Sequence, residues 1–329
     1  MPNYLQMGES ADIPLVFSTN AGQYAYLDPQ YTFINYQVGS IANFVAVGDA
    51  GVILYSMDGI NWKSTSFGNL FINGVIYSES QFIAVGENGL IYSSIDGVNW
   101  GNMVSNTSNE LFDTTYGSDL FVTVGCNGTV LTSSNGSTWT NSSPSDSSFF
   151  CGDLFGIAYG NGIYVSVGQD IDEQSILATT SNPTQPESWV KIIDPSSATE
   201  LTAVAYGGEK FVAVGAGGAI IYASKTANDW QTANSSGVVT TSQLGAVTYA
   251  NNLYIAAARD GSILKSSDAN NWTLTRVADN KVLYSVAHGH NKFISVGNSG
   301  VILYSLDGEN WISIPPITSL NLYGIAARN

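Results

Sequence analysis

Carboxylates are the commonest groups in this chain that could do chemistry, 26 of them against ten lysines and arginines. Asp170, Asp172 and Glu173 crowd into the run QDIDEQS. Hard oxygen ligands so placed in a loop can hold Ca²⁺, although the full spacing of an EF-hand loop is absent. Apart from that candidate, no cofactor is indicated. His288 and His290 form an H-G-H pair with no cysteine beside it to complete a zinc site. Cys126 and Cys151 are too few for a disulfide framework; one bridge between them and two free thiols are both open. Phe149 and Phe150 stand together in the polar run SSPSDSSFFCGD. Such a pair can anchor a partner or stack on a sugar. A glycosidase needs two carboxyls converging on one cleft, and no pair stands out by spacing.

The elements that must position these groups repeat. Seven tryptophans, Trp62, Trp100, Trp139, Trp189, Trp230, Trp272 and Trp311, are separated by 38, 39, 50, 41, 42 and 39 residues. A period near 40 marks a repeat architecture. Each copy reads as four short strands. Strand A resembles LFGIAYG from Leu154, strand B is FVAVG from Phe44, strand C is GVILYS from Gly51, and strand D lies at the tryptophan. These runs are rich in β-branched and aromatic residues and are broken by Gly, Asn and Asp. Between B and C, the pattern VG-x-x-G supplies the left-handed positions of a tight hairpin.

Four antiparallel strands repeated seven times predict an all-β, seven-bladed β-propeller. LYGIAAR at the chain end is an eighth strand A with no B, C or D after it. A solenoid has no use for it. A ring does, as the innermost strand of the blade whose other strands run from Phe44 to Trp62. FINYQVG from Phe33 is the competing candidate for that place. The expected organisation is an N-terminal extension, residues 1–40, packing on the ring or serving as an attachment arm, and a propeller over 41–329.

The C–D turns read SMDGINW, SIDGVNW and SLDGENW. They resemble the Asp-box of sialidase-like and photosystem II assembly factor-like propellers, one residue shorter between Asp and Gly. Similar repeats occur in phage and bacterial surface proteins. The resemblance implies structural roles for Ser56, Asp58, Trp62, Ser94, Asp96, Trp100, Ser305, Asp307 and Trp311. Asp and Ser would close the turn through its own backbone, and the indole would fill the wedge between blades. A sialidase would also need an arginine cluster. Only Arg259, Arg276 and Arg328 exist; Arg276 is expected in a D–A connection and Arg328 at the chain end, which is no clamp.

Strand direction places the A–B and C–D turns on one face, and the B–C turns and D–A connections on the other. By analogy, ligands are expected on the second face. Its candidate binding residues are Asp49, Glu87, Phe149, Phe150, Arg259 and Asn298, which differ from blade to blade.

Charge narrows the partners. The net charge is −16 and only 11% of residues are charged, against about 25% in ordinary soluble chains. Up to residue 190 there are 17 acids and one base, Lys63; beyond it, nine of each. Nucleic-acid backbones and anionic membrane surfaces are therefore excluded as general partners. No apolar run approaches the ~18 residues of a membrane span, and no Sec-type signal is visible at the N-terminus. The reading is a non-catalytic binding or structural propeller, in a virion (a phage tail or surface part) or otherwise extracytoplasmic, recognising a glycan or protein and joined to a larger assembly through residues 1–40. The alternatives are a soluble assembly or scaffold factor of the photosystem II type, and a glycoside hydrolase.

Overall fold

The computed structural model describes residues 41–144, 152–234, 240–276 and 281–328, and a short antiparallel pair, Phe17–Ser18 with Tyr24–Ala25. Phe149, Phe150 and Cys151 lie outside the described residues. The chain divides into two compact units, Met1–Ile41 and Ala42–Asn329.

The larger unit is a ring of seven four-stranded antiparallel sheets. Six blades take their strands in chain order. Their innermost strands are Ile72–Ser78, Leu111–Gly117, Gly152–Gly160, Leu201–Gly207, Leu244–Ala250 and Leu283–Gly289. The seventh sheet unites the two ends of the ring. Leu322–Ala327 pairs antiparallel with Phe44–Gly48, Phe44 opposite Ala327 and Val47 opposite Gly324. The C-terminal strand therefore closes the ring; the competing segment from Phe33 lies outside the described residues.

Strand B is the most buried element of each blade, as FVAVG and its copies require of a strand covered on both faces. In blade two its closing glycine is dictated by backbone proximity, since a Cβ on Gly86 would lie 2.1 Å from the Phe71 carbonyl oxygen; blade six has Ala258 at this place. In the B–C turn that follows, Asn88 and Gly89 are both left-handed (φ +56° and +71°), as mirror-image hairpin turns demand. The insertion of blade four lengthens the B–C hairpin, Ile163–Asp170 pairing with Ser175–Thr180. Arg276 ends the outer strand Thr273–Arg276, opposite Ser262, so it does not lie in the D–A connection as expected. Among the described residues no helix is long and apolar enough to cross a membrane.

The Asp-box turns are closed locally. Ser56 Oγ accepts from the Gly59 N–H at 2.9 Å and donates to the Asn61 carbonyl at 2.7 Å. Asp58 accepts from the backbone N–H groups of Ile60 and Asn61 and from the Asn61 amide. Asp96 and Asp307 are bonded alike. The indole N–H of Trp62 and that of Trp311 each donate to the glycine carbonyl of their own box at 3.2 Å. Trp100 makes no such bond.

Candidate functional site: the mouth of the central channel

Each innermost strand carries a one-residue bulge directly after its first buried leucine or isoleucine. The extra residues are Tyr323, Asn73, Phe112, Phe155, Thr202, Gly245 and Tyr284, from blade one to blade seven. A bulge turns one side chain away from the regular pleat. All seven bulged residues line one cavity of about 370 Å³, the central channel. They sit where strand A begins, on the face of the B–C turns and D–A connections.

Aromatic rings dominate two arcs of this mouth. Phe112 and Phe155 meet edge to face at 5.3 Å. Tyr284 and Tyr323 pack at 5.2 Å, with Phe71 against Tyr323 at 6.4 Å. Phe71 is 44% exposed, and the Arg259 guanidinium lies 5.7 Å from the centre of the Tyr284 ring. These aromatics were missed in the sequence. Their one signal is position, directly after the first buried residue of strand A.

Three of the expected binding residues bridge a B–C turn to the start of strand A. Asp49 accepts from the Asn321 N–H at 3.0 Å, Glu87 from the Phe71 N–H at 3.2 Å and Asn298 from the Val282 N–H at 2.8 Å. Each returns a backbone bond to the same partner. Their side chains thus fasten the rim in blades one, two and seven, whereas the same turn position holds Cys126, Ala216 and Arg259 in blades three, five and six. Burial and a bond to Asp49 push the Tyr323 hydroxyl up to about 12.

The charged groups near the mouth differ by sector. Glu110 accepts from the Asn73 amide at 2.8 Å, and Asp153 from the Asn127 N–H at 3.0 Å. Asp113 lines the channel itself, accepting from the Thr114 N–H at 2.8 Å and the Ile157 N–H of the next blade at 2.9 Å. Burial outweighs these two bonds and raises its carboxyl to about 7. Burial, with the nearby Asp153 and Glu110 charges, lifts the Cys126 thiol to about 12. Glu200, in the opposite sector, is bonded by the Gln243 amide at 2.6 Å. Its carboxyl is raised by burial, against the pull of Arg259.

Other sequence candidates fall elsewhere. Asp170 Oδ1 accepts from the N–H groups of Asp172 and Gln174. Asp170, Asp172 and Glu173 do not converge: among the described residues no three His, Cys, Asp or Glu side chains are placed to hold a metal ion. His288 stacks on Phe293 at 4.6 Å, where other blades put Tyr on Phe or Tyr, and its Nε2 meets the Asn251 amide at 3.1 Å. Arg328 lies 5.9 Å from the centre of the Tyr77 ring.

Ring, closure and turn geometry together define an Asp-box-type β-propeller. Residues 187–319 match the family model of the DUF6242 beta propeller domain. Among solved structures, the chain is similar to YCF48 from Cyanidioschyzon merolae, with a TM-score of 0.62 and 17% identity over 79% of this chain and 90% of that one. A structure of YCF48 bound to D1 peptide gives 0.58 and 16%, over 89% and 94%. A chain in a nidogen/laminin complex gives 0.53 and 9%, over 86% and 97%. At these identities the likeness is one of fold. No curated protein is similar in sequence.

Proposed function

We propose that this protein is a non-catalytic binding propeller that holds an extended polypeptide segment at the mouth of its central channel. It would thereby act as an assembly or scaffold component, with the ring at 41–329 as the binding body and residues 1–40 as an attachment arm to a larger assembly. One observation carries the reading: seven bulges bring seven residues, six with side chains and four of those aromatic, to a single cavity on the variable face. Rings and unpaired strand edges suit a peptide, with backbone bonds supplying affinity and pockets supplying choice. The fold's likeness to YCF48, a structure of which contains a D1 peptide, supports the same reading. The low lysine content fits work outside the cytoplasm.

A glycan ligand, as on a virion surface, is the second reading, favoured by the exposed Phe71 beside Tyr323. A displayed library of random peptides separates the two. The protein should enrich a family of competing peptides whose binding is lost in Phe112→Ala with Phe155→Ala. Parallel changes at Asp119, Asn161 and Asn251 in the A–B turns should leave it intact. No enrichment together with binding on a glycan array, or loss only in the A–B set, overturns the proposal. Turnover of aryl-glycosides would instead point to a hydrolase.

A further inference from the structure

Blade three departs from the repeat at two adjacent channel positions. The third residue of strand A is small in the other six blades, Gly74, Gly156, Ala203, Ala246, Ser285 and Gly324, but here it is Asp113. The fourth is Val or Ile in the other six, but here it is Thr114. Both line the channel. Thr114 is only 5% exposed, and its hydroxyl has no hydrogen-bond partner. A buried hydroxyl without a partner costs free energy that a guest can recover. Asp113 accepts two backbone N–H groups. A carboxylate has about four acceptor positions, so it retains capacity, and among the described residues no lysine or arginine forms a salt bridge with it.

We propose that Asp113 and Thr114, beside the Phe112–Phe155 pair, form a subsite for a cationic side chain, the ammonium of a lysine or the guanidinium of an arginine in the bound segment. This rests on the peptide reading above and deepens it. The chemistry is complementary at each atom. The carboxylate supplies charge and charge-assisted hydrogen bonds. The hydroxyl accepts a further N–H. The neighbouring rings can cover the aliphatic stem and the face of the cation. An alkyl chain alone would leave the Thr114 hydroxyl without a partner and the spare acceptor capacity of Asp113 unused, so a neutral side chain is discriminated against. Burial already holds the empty carboxyl at about 7, and a guest cation would favour its ionised form.

The test uses peptides enriched from a random displayed library on the full-length protein. Their consensus should contain one fixed lysine or arginine beside apolar positions. Resynthesis with norleucine at that position should weaken binding about ten- to a hundredfold, the size of a charge-assisted bond. In Asp113→Asn, the native and norleucine peptides should bind alike. The double change Asp113→Gly with Thr114→Val restores the pair found in blade two, Gly74–Val75. It should fold and also lose the preference. A consensus without a fixed cation, or an undiminished lysine preference in the double variant, overturns the subsite and leaves the peptide reading standing. If no peptide is enriched, both fall.

Discussion

Asp113 and the Asp-box aspartates are the same residue type under opposite forces. In Asp58, burial is outweighed by hydrogen bonds from Asn61, Ile60 and Ser56, which bring the carboxyl down to about 2. In Asp268, at the matching turn SSDANNW of blade six, bonds from Asn271 lead and the result is also about 2. A depressed carboxyl adds stability above its unfolded value near 3.9 and loses it as pH falls through the folded value. Acid unfolding should therefore steepen below about pH 4, and Asp58→Asn should lessen that slope. Asp113 has the reverse sign. Its folded state keeps the proton longer than the unfolded chain, so stability should fall as pH rises from about 4 to about 7. Denaturant midpoints across that range should show the fall, and Asp113→Asn should flatten it. Trp62 and Trp139 are buried to 8% and 3% exposure. Replacing either by alanine should cost ~3–5 kcal/mol, as loss of a large aromatic from a core does. The half-buried Trp100 and Trp311 should cost less. In each variant that stays folded, peptide affinity should be unchanged; an affinity loss without a stability loss would make the tryptophans ligands.

At the scale of elements, the ring depends on one non-covalent seam. Leu322–Ala327 supplies the inner strand of the first blade, and Leu322 and Ile325 are buried in the cluster that joins blades seven and one. Deleting residues 322–329 should expose the edge of Phe44–Gly48 and lower the melting temperature, with broadening of the transition. A truncated chain that melts like the intact one would contradict the seam. The periodic tryptophans and the unaccompanied LYGIAAR made the blade count and the closure readable in the sequence, because core positions recur with little change. The mouth was not readable in the same way. A bulge leaves no composition mark, so Phe112, Phe155, Tyr284 and Tyr323 looked like ordinary members of strand A. The B–C turn residues drew attention because they vary. Asp49, Glu87 and Asn298 vary within the limits of one acceptor role, and no single-chain pattern separates that from ligand choice. Asp113 and Thr114 were visible only as one blade's departure from six.

Across the whole molecule, the acids are concentrated before residue 190. The channel mouth accordingly meets Glu110, Asp113 and Asp153 in blades two to four, and Arg259 with Glu200 across the ring. An acidic sector facing a cationic segment binds more weakly as salt screens it, over a Debye length of about 8 Å at physiological ionic strength. Peptide affinity should fall with added salt in the native protein and fall less in Asp113→Asn, measured by calorimetry at two salt concentrations. The central claim is that a polypeptide segment lies at the channel mouth on the face of the B–C turns and D–A connections. Its most direct test is a library-selected peptide carrying a photo-crosslinker, with the attachment points on the protein mapped by mass spectrometry. Crosslinks should fall on Phe71, Phe112, Phe155, Tyr284 or Tyr323. Crosslinks confined to the Asp-box turns or to A–B turns such as Asp119 and Asn251 would contradict it.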